Sequence, residues 1–256
     1  MAKLEIEQIP VLSDNYVYLI HEPVAGATAV VDPAVAGPVI ERLAARGWKL
    51  DWILSTHHHA DHTGGNLELK KETGCKIAGP KADAARIPGI DHQLAEGDTF
   101  KLGEAKAKIF ETPGHTSGHI SFWFEDARAL FCADTLFSLG CGRLFEGTPA
   151  LMWSSLSKFA PLPDDAVVWC GHEYTQSNAR FALTVDPDNP DLRRRAEEVE
   201  RLRAEGRPTV PTTLGLERRT NPFLRPGDPG IRRTLGMESA SDVEVFAEIR
   251  KRKDRF

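Results

Sequence analysis

Ser55-Thr56-His57-His58-His59-Ala60-Asp61-His62-Thr63-Gly64-Gly65 follows a short apolar run and leads into a helical pattern. It contains the pattern H-x-H-x-D-H. Imidazole nitrogen and carboxylate oxygen suit zinc, iron or manganese, and four such donors within six residues at a strand end let one loop serve two ions. A histidine-rich run can also be an affinity tag or an adventitious metal-binding tract. This one is internal and bounded by a predicted strand, which argues against both.

Three further candidate ligands stand singly, each after a later apolar run. They are His115 in Thr112-Pro113-Gly114-His115, Asp134 in Cys132-Ala133-Asp134-Thr135, and His172 in Cys170-Gly171-His172-Glu173-Tyr174. Ligands gathered from several strand ends are what a rigid scaffold with a functional rim provides. Neighbouring side chains in an extended segment point oppositely, so His58 is expected to face away from the ions and to serve the structure. His119 reads as a residue that packs against or orients the ligands, and His21 and His92 as ordinary positions.

Moving away from this loop, strand-like runs occupy 4–9, 16–20, 28–31, 52–55, 76–78, 106–110, 120–124, 129–132 and 167–170. Helical patterns lie between them, with Val39, Ile40, Leu43 and Ala44 on one face before Gly47, and again over 151–159. The class is α/β. After residue 173 the sequence turns helix-rich and Arg-rich, with helices expected over 174–183, 192–204 and 242–252. Domains are therefore expected at 1–173 and 174–256. Five prolines mark 207–230 as an irregular connection.

With 256 residues, 41% hydrophobic and 27% charged, the chain is long enough for a sizeable core and has no apolar run near a membrane span. Its start, Met1-Ala2-Lys3-Leu4-Glu5-Ile6-Glu7, lacks the continuous apolar core of an export signal, so cytoplasmic residence is expected. Cys75, Cys132, Cys141 and Cys170 form no C-x-x-C pair and are expected as reduced, buried thiols. The net charge of -5 divides unevenly: residues 191–256 hold 16 of the 32 Lys and Arg against 12 acids, leaving the rest at -9. An anionic ligand near the tail is one reading, and solvated helix faces are the plainer one.

H-x-H-x-D-H with downstream His, Asp and His resembles the metallo-β-lactamase superfamily. The resemblance implies a four-layer αββα sandwich with a small C-terminal helical domain. By the same resemblance His57, His59 and His115 hold one metal, Asp61, His62 and His172 the other, and Asp134 bridges both. Zinc is the expected metal, with iron or manganese as alternatives. Two ions about 3.5–4 Å apart share a water whose pKa falls from about 15.7 to about 7 even on one zinc, so hydroxide forms at neutral pH. Asp61 would orient it.

Nearly the whole chain is similar to the hydroxyacylglutathione hydrolases, the glyoxalase II family. The similarity runs through Ser13-Asp14-Asn15-Tyr16, Ala133-Asp134-Thr135-Leu136-Phe137, Gly140-Cys141-Gly142-Arg143-Leu144-Phe145-Glu146-Gly147, Gly171-His172-Glu173-Tyr174-Thr175, Thr220-Asn221-Pro222-Phe223-Leu224-Arg225 and Arg250-Lys251-Arg252-Lys253-Asp254. It implies hydrolysis of S-(2-hydroxyacyl)glutathione thioesters such as S-D-lactoylglutathione, the second step of methylglyoxal detoxification. Arg143, Tyr174, Arg250 and Lys253 are then the glutathione contacts, which suits a tripeptide with two carboxylates. Some family members carry Lys and Tyr where this chain has Arg143 and Phe145, so one tyrosine hydroxyl contact is missing. A thiolate leaving group, with a thiol pKa of about 8.5–9, departs without a dedicated acid.

Two other readings stay open at this level. A persulfide dioxygenase of the same superfamily would use a single iron held by two His and one Asp, but the full second site with His172 and the Arg-rich tail speak against it. A nucleic-acid-processing or non-catalytic relative rests on the basic tail alone, and no stacking or basic-stripe pattern supports it. Neither nucleic acid nor membrane is an expected partner, and a monomer is expected.

Overall fold

The structure is a computed structural model and describes residues 4–256. Alternation along the N-terminal strands creates two cores. The first sheet contains β1 (Glu5–Val11), β2 (Asn15–Glu22), β3 (Ala27–Val31), β4 (Trp52–Leu54), β5 (Lys76–Pro80) and β6 (His92–Leu94), in that spatial order. Its first three strands are antiparallel, and β3 to β6 pair in parallel. Tyr18, Ile20, Val31, Leu54 and Ala78 point to one face, while Val17, Leu19, Val30, Ile53 and Ile77 point to the other. Strands buried on both faces need apolar residues at every position, which is why these runs read as continuous.

The outer face of this sheet is covered by α1 (Gly37–Arg46), through Val39 and Leu43, with the single turn α2 (Ala60–Thr63) and α3 (Asn66–Thr73) beyond β4. Gly47 ends α1 in the left-handed conformation, φ 65°, as expected of a stop residue. The inner face meets a second six-stranded sheet. That sheet runs β7 (Thr99–Leu102), β8 (Ala105–Glu111), β9 (Ile120–Phe124), β10 (Ala129–Ala133) and, beyond a small ribbon of β11 (Leu136–Phe137) and β12 (Gly140–Cys141), β13 (Val167–Cys170) and β14 (Thr212–Thr213). Phe100, Ile109, Phe122 and Phe131 from this sheet join Tyr18 and Ile20 in one core.

The remaining helices are α4 (Pro149–Ser157), α5 (Thr175–Val185), α6 (Pro190–Ala204), α7 (Leu214–Thr220), α8 (Pro229–Leu235) and α9 (Asp242–Lys253). Phe181 of α5, Phe223, and Phe246 and Ile249 of α9 belong to the same core as the sheets. The four-layer sandwich with a helical C-terminal part is therefore observed. The expectation of an irregular connection over 207–230 is not: that stretch supplies β14, α7, a 3-10 turn at Pro222–Leu224 and the start of α8. Pro222 and Pro229 occupy first helical positions, where the missing N–H is harmless, and Asn221 and Asp228 cap them. These prolines start helices rather than break them.

Candidate metal centre

The H-x-H-x-D-H loop leaves the carboxyl end of β4, the usual functional rim of parallel strands. His57 and His59 flank His58 in extended chain, and α2 then lifts Asp61 and His62 onto the same side. His115 comes from the turn between β8 and β9, Asp134 follows β10, and His172 follows β13. The end of β10 is bent to deliver Asp134: its register with β13 shifts between Phe131 and Ala133, and Ala133 takes the left-handed φ of 36°. A side chain at Gly171 would put Cβ 2.6 Å from Asp134 Oδ1, so only glycine lets the two strand ends close on this carboxylate.

The structure brings all seven expected ligands together. His57, His59 and His115 offer nitrogens within 4.8 Å of one another, as do Asp61, His62 and His172 with their ligand atoms. His115 Nε2 lies 3.1 Å from His59 Nδ1, and His62 Nε2 lies 3.2 Å from His172 Nε2. A tetrahedral ion with nitrogens at about 2.0–2.1 Å sets its ligands about 3.3 Å apart, so these spacings match ligand edges. Asp134 spans the two groups, with Oδ2 3.3 Å from His115 Nε2 and 3.4 Å from His172 Nε2, and Oδ1 3.5 Å from His62 Nε2. Asp61 Oδ2 is 3.6 Å from both His62 and His172.

The donor atoms fit cations. His57 Nε2 and Asp134 Oδ1 are buried without a hydrogen-bond partner, a costly arrangement unless a ligand takes their lone pairs. The outward nitrogens of His57, His62, His115 and His172, by contrast, are occupied. Thr56 Oγ1 donates to Asp32 Oδ2 at 2.7 Å and accepts from His57 Nδ1 at 2.9 Å. His62 Nδ1 donates to Asp32 Oδ2 at 3.1 Å, His115 Nδ1 to the Arg143 carbonyl at 2.8 Å, and His172 Nδ1 to Asp14 Oδ1 at 2.9 Å. Each bond fixes the tautomer that leaves the inner nitrogen free to ligate.

Asp32, Thr56, Asp14 and Asn15 were not among the predicted site residues. Asn15 Nδ2 donates to Asp61 at both its carbonyl, 3.1 Å, and Oδ2, 3.0 Å. Asp32 also lies close to His57 and His62, but its carboxylate already accepts from the Thr56 N–H, the Thr56 hydroxyl and His62, so it orients rather than ligates. Asp32 follows the apolar run of β3 as the candidate ligands follow theirs, and position alone does not tell an orienting carboxylate from a ligand.

Burial, then the neighbouring imidazoles His62, His119, His115 and His59, hold the His57 pKa well below the usual value. Burial and His115 lower His59, and burial lowers His115, so these three favour the neutral, ligating form. Burial alone would also lower His62, but Asp134 and Asp32 raise it to about 9. Asp134 is held far below the carboxylate range by His62, His172 and His115, against the opposing effect of burial. Asp61 is likewise lowered, by His62, the Asn15 amide and His172 acting against its burial.

His58 points away, its Nδ1 3.0 Å from Asp83 Oδ2. His119 stacks on His57 with centroids 4.8 Å apart. His21 stacks on Trp48, and His92 lies exposed in β6. All four cysteines are free and buried. Among the described residues no helix is long and apolar enough to cross a membrane.

The candidate ligands open onto a cleft of about 860 Å³ that Arg143, Tyr174, Arg250 and Lys253 also line. Tyr174 lies flat on His172, centroids 4.6 Å apart and planes 2° from parallel. Lys253 Nζ donates to Ser177 O and Oγ at 3.2 and 3.1 Å. Burial, then Arg250 and Arg143, bring its pKa down to about 8. Arg250 is only 6% exposed, and its guanidinium donates to the Cys141 carbonyl at 3.0 Å and to Asp254. It braces α9 against the β12 ribbon as well as facing the cleft. Phe145, 60% exposed, meets His59 and His115 edge-on.

Comparison with known proteins gives two adjoining matches: the profile of the metallo-beta-lactamase superfamily over residues 12–172, and that of the hydroxyacylglutathione hydrolase C-terminus over residues 173–256. The hydroxyacylglutathione hydrolase of Methylococcus capsulatus is 62% identical over 99% of both chains, and that of Rhizobium etli 57% identical over the full length of both. Among solved structures, ETHE1 from Myxococcus xanthus superposes with a TM-score of 0.70 at 23% identity, covering 96% of this chain and 90% of its own. The B3 metallo-beta-lactamase BLEG-1 gives 0.66 at 23% identity, covering 86% and 100%. Those structural likenesses bear on the fold alone.

Proposed function

The chain belongs to the hydroxyacylglutathione hydrolases of the metallo-beta-lactamase superfamily, and on that premise we propose that it cleaves S-(2-hydroxyacyl)glutathione thioesters, S-D-lactoylglutathione among them, to glutathione and a 2-hydroxy acid. One observation carries the reading: two groups of candidate ligands joined by Asp134 line the same cleft as three cations. The first supplies hydrolysis and the second a docking place for an anionic tripeptide.

His57, His59 and His115 would hold one ion, Asp61, His62 and His172 the other, and Asp134 both; His with carboxylate suits zinc, with iron and manganese as alternatives. Bound there, divalent ions supply hydroxide at neutral pH and a Lewis acid for the thioester carbonyl. The protein's own contribution is positional. Asn15 holds the Asp61 carboxylate where it can orient the attacking oxygen, and the partly exposed Asp61 faces the cleft. Arg143 and Lys253 present charge to the glutathione carboxylates, with Arg250 behind them. Tyr174 stacks over His172 and narrows the approach beside it. A thiolate departs without an acid catalyst, and no side chain in the cleft is assigned that part. The chain is read as a cytoplasmic monomer acting on a small molecule.

Thiol release from S-D-lactoylglutathione, measured before and after chelation with metal content on the same sample, tests the reading. Fast, chelator-sensitive release with close to two metals per chain is expected. A folded sample holding one iron, inert on the thioester and consuming oxygen with glutathione persulfide, would replace it with the dioxygenase.

A further inference from the structure

Outside the metal centre the densest cluster of charged side chains joins four separate segments. Arg86, at the end of the 3-10 turn Lys81–Arg86, grips Glu146 in a two-pronged bond, Nη1 to Oε1 at 2.5 Å and Nη2 to Oε2 at 2.9 Å. Its Nε donates to Asp83 Oδ1 at 3.2 Å, and its Nη2 to Asp83 and to Ser117 Oγ, the latter at 2.8 Å. Asp83 accepts from His58 Nδ1 at 3.0 Å, which leaves His58 Nε2 to accept from Arg86 Nη1 at 3.2 Å. Glu146 also accepts from the Ser117 N–H at 2.7 Å. The close approach is built in: a Cβ on Gly118 would fall 2.2 Å from the Asp83 carboxyl carbon.

Every N–H direction of Arg86 is spent on protein, and its side chain is not among the groups that line the cleft. It therefore acts through others. Glu146 directly follows Phe145 and stands three residues after Arg143, so the grip ends on the lip that carries both. The rest of the lip is held at few points: Leu144 packs half-buried against the core, Arg143 Nε lies 3.6 Å from Asp254, the Phe145 N–H donates to the His115 carbonyl at 3.3 Å, and the Arg143 carbonyl accepts from His115 Nδ1, while the Arg143 and Phe145 side chains are largely exposed. A planar fork between two carboxylates fixes direction as well as distance, which a lysine would not do.

We infer that Arg86 is a positioning residue for substrate binding, holding the 143–146 lip at the height from which Arg143 and Phe145 meet the glutathione moiety. The inference rests on the thioesterase reading for the identity of the ligand. Asp83 is its fixed base, only 1% exposed at the side chain and held by the His58 imidazole.

The test is Arg86→Met and Glu146→Gln, singly and together, with steady-state kinetics on S-D-lactoylglutathione, glutathione binding by calorimetry, and metal content of each protein. Losing the fork lets the lip drift by a fraction of an ångström to an ångström, and a rise in KM and in the glutathione dissociation constant of about tenfold is expected. Turnover should stay within about threefold and metal content unchanged, with the double variant close to Arg86→Met, because the fork to Glu146 is already lost there and the two effects do not add. Unchanged KM and glutathione affinity in both single variants would overturn the inference. So would a fall in kcat at constant KM accompanied by metal loss, which would assign the cluster to the His115 loop instead. Failure of the unaltered chain to hydrolyse the thioester would strike the proposed function, whereas the ratio of variant to unaltered glutathione affinity judges Arg86 on its own.

Discussion

Around the candidate ions each tethered imidazole is a lever with one end fixed, and Asp32 fixes two of them, through Thr56 to His57 and directly to His62. One carboxylate thus serves both ligand groups. Asp32→Ala should weaken metal binding at both sites by about 10–100-fold while the fold persists, read by competition with a chromophoric chelator; unchanged affinity would make Asp32 merely a link between loops. The cleft's cations predict a pH response with a definite sign. Lys253 has its pKa brought down to about 8, so the free protein carries that charge below pH 8 and loses it above. Binding an anion favours the charged form, so affinity for glutathione should be flat below pH 8 and fall by up to about tenfold per unit above it. Glutathione titrates too, which is why Lys253→Arg, charged throughout, is the control: a slope that persists in that variant would clear Lys253. The ligands themselves were legible because metal chemistry restricts them to His and Asp at strand ends. Asp32, Asp14 and Arg86 were not, because an orienting carboxylate or guanidinium is chosen by where a distant loop lands, which local pattern does not encode.

At the scale of elements, the β11 and β12 ribbon is what carries the chain from Asp134 to Arg143, and it hangs on one buried residue of α7. Glu217 is fully buried; its Oε1 accepts from Ser138 Oγ at 3.0 Å and Thr212 Oγ1 at 2.8 Å, and its Oε2 from the Leu139 N–H at 2.7 Å and Asn221 Nδ2 at 3.0 Å. Burial pushes its pKa up even though these donors favour the ionised form. Leu139, at φ 59°, sits in the left-handed region that such an anchor holds in place. Glu217→Ala strands three buried donors, Ser138 Oγ, Thr212 Oγ1 and the Leu139 N–H, and should cost roughly 3 kcal/mol or more in chemical denaturation. KM should rise as well, because the ribbon positions Arg143; an unaltered KM in a destabilised protein would separate the two roles. No sequence pattern announced this anchor. α7 is seven residues long and follows prolines, too short for a helical period to stand out, whereas α5, α6 and α9, of 11, 15 and 12 residues, are expected within a few residues of their ends.

For the whole molecule the decisive fact is that the elements carrying the candidate ligands and those carrying the cleft's cations share one core. The metal loops hang from both sheets, and the cations stand on the ribbon and on α9, yet Phe181, Phe223, Phe246 and Ile249 pack in the same cluster as Tyr18, Phe122 and Phe131. The change from strand-rich to helix-rich sequence near residue 173 is the basis for expecting domains at 1–173 and 174–256, and periodicity, which reports the apolar face of an element, leaves open what covers it. Here β14 pairs with β13, so the C-terminal part also completes the second sheet. Cutting at 173 would uncover the surface of residues 1–173 that Phe246 packs against through Trp153 and leave the β13 edge unpaired, each a route to aggregation. A fragment of residues 1–173 is therefore expected to be insoluble, and the intact metal-loaded chain to unfold in one calorimetric transition with equal calorimetric and van't Hoff enthalpies. Two resolved transitions, or a soluble fragment retaining the near-ultraviolet signature of the full chain, would mean that the helices dock onto a finished domain. In that case the distance between ions and cations would be set by a movable interface, and substrate binding should shift the second transition alone. With a shared core it is set by the fold itself, and a bound glutathione analogue should raise the single transition as a whole.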